Sequence, residues 1–263
     1  MTLLKRKYDP KSREMHDVAP FTEICPYYDE IHTDVNYHKL SLHLVRLAQH
    51  HHVNVRMVTD IGCRTGLLLH HLAERGFEVT GVETTQQMVD WAAGFADYKA
   101  VPVSFYLSNM KQKLPFDNQD MVLCLHQNMN YFHNQADLEL FLSMVRMMVA
   151  PKGLFVFDLL TEIGAQQTYG EYLDYDKVMP GFYVHKAYYI EDRSTVHHMY
   201  EMYPHNVEIM YVENHYQFVW KWDDLKRIVE DGGFKIESVN AWGQFHPHDE
   251  ENDRTMMVTC RPK

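Results

Sequence analysis

Residues 58–66 read VTDIGCRTG, and they join a predicted strand at residues 55–59 to a predicted helix at residues 67–75. Gly62 and Gly66 permit the backbone of this turn to approach a ligand closely. Open α/β sheets bind ligands beyond the carboxyl ends of their strands, where such a turn lies. The stretch therefore predicts a ligand-binding loop in a fold that alternates strands with helices.

The alternation extends to both sides of this loop. An amphipathic helix is expected over residues 36–52, and β-branched or apolar runs after the loop predict four further strands, at residues 77–82, 101–107, 121–125 and 154–160. A helix capped by Thr84 or Thr85 and another over residues 135–149 separate them. This pattern predicts a Rossmann-like, doubly wound, mostly parallel sheet.

The pattern changes after residue 160. Tyr, Val, His and Phe become frequent without an intervening helix, which predicts antiparallel strands over residues 182–190, 195–203 and 207–219. A helix over 222–231 and strands over 234–241 and 255–260 would complete a seven-stranded core sheet. We expect a loose N-terminal arm, a cofactor-binding core, an inserted β-layer that is a lid or a homodimer surface, and a C-terminal completion of the core sheet, at residues 1–24, 25–162, 163–220 and 221–263.

Composition narrows the class of protein. The chain has 263 residues with 36 acidic and 25 basic side chains, a net charge of −11, which disfavours a nucleic-acid partner. No stretch approaches the roughly 20 apolar residues of a membrane helix, and we expect no signal peptide. The four cysteines lack paired spacing and the histidine pairs lack the convergent spacing of a metal site. We expect a cytoplasmic protein without a metal or a membrane partner.

Two acids define the predicted ligand. Asp60 ends the first strand of the loop unit, and Glu83 ends the next strand, 23 residues later. A carboxylate at Asp60 would repel a pyrophosphate but suits an ammonium group near a positive sulfonium, as in S-adenosylmethionine. An acid at the position of Glu83 is placed to bind the two hydroxyls of a ribose. The loop lacks G-x-G-x-x-G, which disfavours the alternative of an NAD(P)-dependent oxidoreductase.

These motifs resemble the class I S-adenosylmethionine-dependent methyltransferases. Residues 60–66 match the family's D-x-G-C-G-T-G at six of seven positions, and residues 81–88, 114–125 and 150–153 resemble its later motifs. The small-molecule branch that methylates amines and amino sugars has a "YD" element like Tyr28-Asp29. The resemblance implies cofactor contacts from Tyr28, Tyr37, Asp60, Gly62, Cys63, Arg64, Gly66, Glu83, Thr84, Met88, Asn109, Met110, Leu125 and His126.

Two positions depart from the family pattern. Arg64 replaces the middle glycine of the loop, where its side chain would either crowd the cofactor or pair with the cofactor's carboxylate. Asn109 replaces a common adenine-binding aspartate, and its amide oxygen can still accept a hydrogen bond from adenine.

The resemblance also indicates an acceptor site beside the fourth strand. His126 and Tyr131 are candidates for orienting or deprotonating the acceptor, although His126 could equally be a core histidine. Tyr28 would close over the transferred methyl group, or else serve as an aromatic staple. Asn130 would bind the acceptor or hold a turn, and His215 and Tyr216, on the last strand of the β-layer, could line the pocket.

The sequence thus predicts transfer of a methyl group to a nitrogen or oxygen of a small-molecule acceptor by in-line displacement. Such transfer mainly requires alignment and exclusion of water. A non-catalytic protein of the same fold, a regulator or subunit, is the alternative suggested by Arg64.

Overall fold

The computed structural model describes residues 13–112, 114–205 and 208–263. Within these residues the strands are β1 (Glu14–Val18), β2 (Met57–Ile61), β3 (Glu78–Glu83), β4 (Val103–Leu107), β5 (Gln119–Cys124), β6 (Val149–Leu160), β7 (Tyr172–Val178), β8 (Gly181–Ile190), β9 (Thr195–Pro204), β10 (Ile209–Phe218), β11 (Phe234–Ala241) and β12 (Thr255–Pro262). The α-helices are α1 (Tyr28–Ile31), α2 (Tyr37–His50), α3 (Leu67–Ala73), α4 (Gln86–Lys99), α5 (Gln135–Met148), α6 (Glu162–Tyr169) and α7 (Trp222–Asp231).

Helix starts follow local capping chemistry. The Asn36 side chain accepts a hydrogen bond from the Lys39 amide at 2.9 Å and thereby begins α2. The Thr85 hydroxyl, rather than that of Thr84, accepts from the Met88 amide at the start of α4. Each cap satisfies an amide that has no partner within the helix.

The central sheet has the strand order β11-β12-β6-β5-β2-β3-β4. Its pairs are parallel except those that β12 makes with β6 and β11. Asp60 on β2 lies opposite Gly81 on β3 and Leu123 on β5, so the ends of these strands lie at one edge. The prediction of a mostly parallel, seven-stranded Rossmann-like sheet is confirmed.

A second sheet has the order β1-β10-β9-β8-β7. The pairs among β7, β8, β9 and β10 are antiparallel, as predicted for the β-layer. The sequence did not indicate α6 or β7, because the side chains of β7 are largely exposed and carry no apolar stripe. The proposed domain boundaries and the role of this layer as a lid or a dimer surface stay predictions.

The prediction of a loose arm is wrong for residues 14–18. They form β1, which pairs in parallel with β10, and the Glu14 amide donates to the Glu208 carbonyl at 2.9 Å. The edge of β10 presents backbone N–H and C=O groups, and hydrogen bonds to them stabilise β1 although its side chains are mostly polar. The part of the predicted arm at residues 1–12 lies outside the described residues.

Among the described residues, five apolar clusters pack within and between these layers. Two cover opposite faces of the central sheet, and their centres include Phe141 and Leu68. A third joins residues 21–28 to the second sheet through Phe21, Tyr28, Met88 and Tyr200. Complete burial of one large apolar side chain contributes about 1.5–3 kcal/mol. No helix in the described ranges is both long and apolar enough to cross a membrane.

Candidate functional site

The loop between β2 and α3 turns through three left-handed residues: Gly62, Arg64 and Gly66 have φ of 73°, 55° and 79°. A Cβ atom on Gly62 would lie 2.1 Å from Asn128 Nδ2, so glycine is required there. Asn128 Nδ2 donates to the carbonyls of Gly62 and Leu125, at 2.9 and 2.6 Å. This amide joins the loop after β2 to the segment after β5.

Asp60 is a fully buried acid at the end of β2. Neither of its side-chain oxygens has a hydrogen-bond partner among the described residues. Desolvation, with the nearby charges of Glu83 and Asp158, raises the pKa of Asp60 to about 8. A buried carboxyl without a partner is unfavourable unless a cation or donor approaches it. The site therefore fits the ammonium group of a ligand.

Glu83, at the end of β3, is also fully buried. Its Oε1 atom accepts from the Arg64 amide at 2.6 Å, and its Oε2 atom accepts from the Thr84 amide at 3.1 Å. These bonds fix the carboxylate beside the loop while leaving further lone pairs on both oxygens. A fixed two-oxygen acceptor suits a ribose diol.

The side chain of Arg64 is buried within the site, with 3% of its surface exposed. Its Nη1 atom lies 3.7 Å from Glu83 Oε1, and its Nη2 atom donates to Asn128 Oδ1. The guanidinium also stacks 3.9 Å from the centre of the Phe21 ring, and its charge favours the ionised form of the nearby Tyr28 hydroxyl, which lowers the pKa of that group against the larger effect of burial. The structure thus directs this side chain towards the predicted ribose-binding acid.

A cavity of about 310 Å³ lies beside this loop; we call it the loop cavity. Its lining includes Arg64 and three further residues that were predicted to contact the cofactor, Thr84, Asn109 and Met110. The Asn109 Oδ1 atom already accepts from the Lys111 amide at 3.0 Å. Met88 does not line this cavity and is wholly buried in the cluster that joins residues 21–28 to the second sheet.

A second cavity of about 120 Å³ lies between the second sheet and the segments that follow β2 and β5 of the central sheet; we call it the inter-sheet cavity. The predicted residues Tyr28, His126, Tyr131 and His215 line it, together with residues that the sequence did not single out: Phe21, His32, Tyr169, His198, Tyr200 and Gln217. Desolvation lowers the pKa of His126 to about 3 and those of His32 and His198 to about 4 and about 3. These imidazoles are neutral at pH 7 and act as hydrogen-bonding groups.

His126 lies on the segment that follows β5. Its amide and that of Gln127 donate to the two oxygens of Asp158, at 3.2 and 2.6 Å. The Trp242 indole donates to the same carboxylate at 2.8 Å. The His126 ring has Tyr37 at 5.7 Å, and its Nε2 atom has no partner in the described part of the chain. Asp158 therefore holds this segment in place.

A chain of hydrogen bonds leads away from Tyr131. Its hydroxyl lies 3.1 Å from His215 Nδ1, and His215 Nε2 lies 2.9 Å from Glu213 Oε2. The carboxylate of Glu213 also accepts from the amides of residues 21–24, at 2.8, 3.1, 2.7 and 2.8 Å. One acid thus orients His215 and holds the N-terminal segment over the inter-sheet cavity.

The sequence reasoning missed Glu213 and Asp158. A signal for Glu213 exists, because Glu213, His215 and Gln217 occupy alternate positions of β10 and are all buried. Polar side chains on the inward face of a strand indicate either a network or a binding site.

Two predicted acceptor residues are corrected by the structure. Tyr216 does not line the inter-sheet cavity: it is 43% exposed and stacks on His197, because neighbouring residues of a strand face opposite sides. Asn130 is fully buried, and its side-chain amide bonds to backbone groups. Its Nδ2 atom donates to the Phe218 carbonyl and its Oδ1 atom accepts from the Leu160 amide, both at 2.9 Å. It holds a turn, which was the alternative interpretation.

The remaining loop residues contribute mainly through packing. Cys63 and Leu125 are buried in the cluster around Leu68, and Tyr37 belongs to the same cluster. Gly66 is the N-terminal cap of α3 in the left-handed conformation. These positions shape the loop beneath Asp60.

Comparisons with known proteins agree with this geometry. A family model described as "Methyltransferase domain" matches residues 58–153. YqeM of Bacillus subtilis (strain 168), a protein named as a methyltransferase, is 26% identical over 188 residues, which cover 70% of this chain and 75% of YqeM.

Solved structures show the same fold. An S-adenosylmethionine-dependent methyltransferase from Clostridium acetobutylicum ATCC 824 has a TM-score of 0.79 at 16% identity, covering 91% of this chain and 98% of the other. The sugar N-methyltransferase KedS8 from Streptoalloteichus sp ATCC 53650 has a TM-score of 0.72 at 17% identity, covering 90% and 93%.

Proposed function

Since the chain belongs to the class I methyltransferases that use S-adenosylmethionine, we propose that it methylates a nitrogen of a small, hydroxyl-bearing amine. The observation that supports this acceptor class is the inter-sheet cavity, whose lining includes Arg64 of the cofactor loop.

The four free, buried cysteines support a reducing compartment such as the cytoplasm as the place of action.

The cofactor would be held at the tips of β2 and β3. Asp60 would pair with its ammonium group, because both Asp60 oxygens are buried and available. Glu83 would accept hydrogen bonds from the ribose hydroxyls, and the loop cavity would take the adenine against Thr84 and Met110. When bound, S-adenosylmethionine supplies a methyl group that its positive sulfonium activates.

The acceptor would enter the inter-sheet cavity. Aromatic rings and neutral imidazoles line its walls, so they offer hydrogen bonds to hydroxyl groups and apolar faces to ring carbons. The cavity is small, about 120 Å³, which favours a metabolite over a macromolecule. The name of KedS8, a sugar N-methyltransferase of the same fold, supports an amino sugar as the first acceptor to test.

Tyr131 would receive the proton that the acceptor nitrogen loses. Its own hydroxyl proton would pass to His215 Nδ1, 3.1 Å away. Glu213 would stabilise the resulting imidazolium through its contact with His215 Nε2. Tyr28 and His126 would orient the acceptor, since both line the same cavity.

A labelled-methyl assay tests this proposal. The purified chain is incubated with S-adenosylmethionine carrying a tritiated methyl group and with pairs of acceptors, each amino sugar matched to the sugar in which a hydroxyl replaces the amine. We expect label to be transferred to the amines and not to their hydroxyl partners. Transfer to the hydroxyl partners would assign oxygen as the methylated atom, and transfer to a macromolecule would contradict a small acceptor.

A further inference from the structure

The position of Arg64 has a consequence for how the two cavities communicate. The loop cavity and the inter-sheet cavity share Phe21, Arg64 and Tyr131 as lining residues. The guanidinium carbon lies 3.9 Å from the Phe21 ring centre and 5.6 Å from that of Tyr131. The guanidinium thus lies in the wall that the two cavities share, where a methyl group would pass from a nucleoside in the first cavity to an acceptor in the second.

The guanidinium is held by several contacts. It lies 3.7 Å from Glu83, donates to the side chain of Asn128, and stacks on Phe21. Among the described residues Arg64 is the only buried arginine or lysine. Because a buried cation is unfavourable unless it is paired and hydrogen bonded, these contacts give the inward rotamer a defined energy minimum.

The surrounding charges explain why a cation occupies this place. Asp60, Glu83 and Asp158 are all buried near one another, and Asp60 and Asp158 have raised pKa values. A net positive charge therefore stabilises the junction of the two cavities. A cofactor with an ammonium group and a sulfonium brings positive charge to the same place, so it can replace the guanidinium without leaving the acids uncompensated.

The backbone does not require an arginine at this position. Arg64 has a φ of 55°, a left-handed conformation that glycine adopts without steric cost. Its neighbours Gly62 and Gly66 adopt the same region. An arginine at this position therefore makes the backbone conformation of the loop less favourable than a glycine would.

We propose that Arg64 is a resident cation that closes the passage between the loop cavity and the inter-sheet cavity, and that the cofactor must displace it from Glu83 in order to bind. This inference rests on the proposed function. It identifies Arg64 as a residue that sets the affinity and the rate of cofactor binding. It also excludes the interpretation that Arg64 mainly strengthens binding by pairing with the cofactor's carboxylate.

The test measures binding of S-adenosylhomocysteine to the full chain and to Arg64→Gly by titration calorimetry. We expect Arg64→Gly to bind at least about fivefold more tightly, because no guanidinium contacts have to be broken. Arg64→Met removes the charge while it keeps bulk, and we expect a smaller gain. The matched control is Arg227→Met, which removes an arginine 3.9 Å from Asp231 on the exposed side of α7 and should leave the affinity unchanged.

Binding kinetics give a second readout. Trp242 donates to Asp158 near the cavity, so its fluorescence should report ligand binding in a stopped-flow mixer. Displacement of Arg64 predicts an observed rate that saturates with ligand concentration in the natural chain and rises linearly in Arg64→Gly. Unchanged or weaker binding by Arg64→Gly, with normal binding by the natural chain, would overturn the inference alone. Absence of binding by both proteins would overturn the proposed function and the inference with it.

Discussion

Glu213 Oε2 lies 2.9 Å from His215 Nε2, and both side chains face inward from β10 because a single residue separates them along the strand. The carboxylate can only accept at this contact, so His215 carries its proton on Nε2 and presents a free lone pair at Nδ1 to the Tyr131 hydroxyl. Geometry therefore fixes the tautomer that the proposed proton transfer requires.

Removal of the Tyr131 hydroxyl should reduce turnover with little effect on cofactor binding. In Tyr131→Phe the ring remains as a wall, but the acceptor loses its path to His215, so we expect kcat to fall by about 10²-fold. S-adenosylhomocysteine should bind as before. The control is Tyr216→Phe, since Tyr216 faces away from the inter-sheet cavity. Equal kcat values for the two variants would argue against a role of the hydroxyl.

Glu213→Gln should destabilise the protein as well as slow it. The amide places a donor where the amides of residues 21–24 and His215 all donate, so at least one buried donor loses its acceptor. We expect the free energy of unfolding to fall by about 3 kcal/mol in urea titrations. Glu30→Gln, at an exposed carboxylate of α1, is the control and should change it by less than about 0.5 kcal/mol.

Asp60→Asn should change how stability depends on pH. The folded protein holds the pKa of Asp60 at about 8, above the ordinary value of 3.8, so folding takes up a proton between these pH values. The destabilisation by Asp60 therefore grows as pH rises from about 4 to about 8. We expect Asp60→Asn to match the natural chain at pH 4 and to exceed its unfolding free energy by at least about 2 kcal/mol at pH 8, measured in urea. A constant difference across this range would contradict the assignment of the pKa.

The two strand-tip acids should each matter for cofactor affinity. Asp60→Ala and Glu83→Ala remove the proposed partners of the ammonium group and the ribose, and each should weaken S-adenosylhomocysteine binding by about 1–3 kcal/mol. Calorimetric titration measures this loss directly. Asp120→Ala, which removes the side chain that accepts from the amides of Arg56 and Met57 at the other end of β2, serves as the control. Unchanged affinity in both site variants would count against the proposed placement of the cofactor.

Gly62→Ala should disrupt the loop. The added Cβ would meet Asn128 Nδ2 at 2.1 Å, and a φ of 73° is unfavourable for alanine. We expect a loss of at least about 3 kcal/mol of unfolding free energy. Gly94→Ala is the matched control: nothing lies within 4 Å of its added Cβ in α4, and it should stabilise the protein by about 0.5–1 kcal/mol. A loss in Gly94→Ala as large as that in Gly62→Ala would contradict the steric argument.

Local sequence signals predicted the central sheet well because they coincide there with burial. The helix over residues 222–231 was predicted with the bounds that the structure shows, since its apolar positions repeat at helical spacing and two glycines end it. Asp60 and Glu83 were recognised as strand-tip acids because short motifs surround them. Each of these features depends on neighbours that are close in sequence.

Features that depend on distant contacts were not predictable. β1 has few apolar residues and exists because β10, almost 200 residues later, offers an open edge. The role of Glu213 depends on amides 189 to 192 residues away. The direction of the Arg64 side chain is likewise set by Phe21, Glu83 and Asn128, which come from three separate segments.

Glu213 accepts hydrogen bonds both from the amides of residues 21–24, which form the roof of the inter-sheet cavity, and from the imidazole of His215. The same acid therefore closes the cavity and orients the histidine proposed to take up the proton. Neither can be redesigned independently by changing this acid. A chain re-engineered for a different acceptor would instead have to vary wall positions such as Tyr169 and His198, which border the inter-sheet cavity and lie outside the apolar cluster that joins residues 21–28 to the second sheet. The fold thereby separates Glu213, which must stay constant, from the wall positions of the cavity, which are free to change.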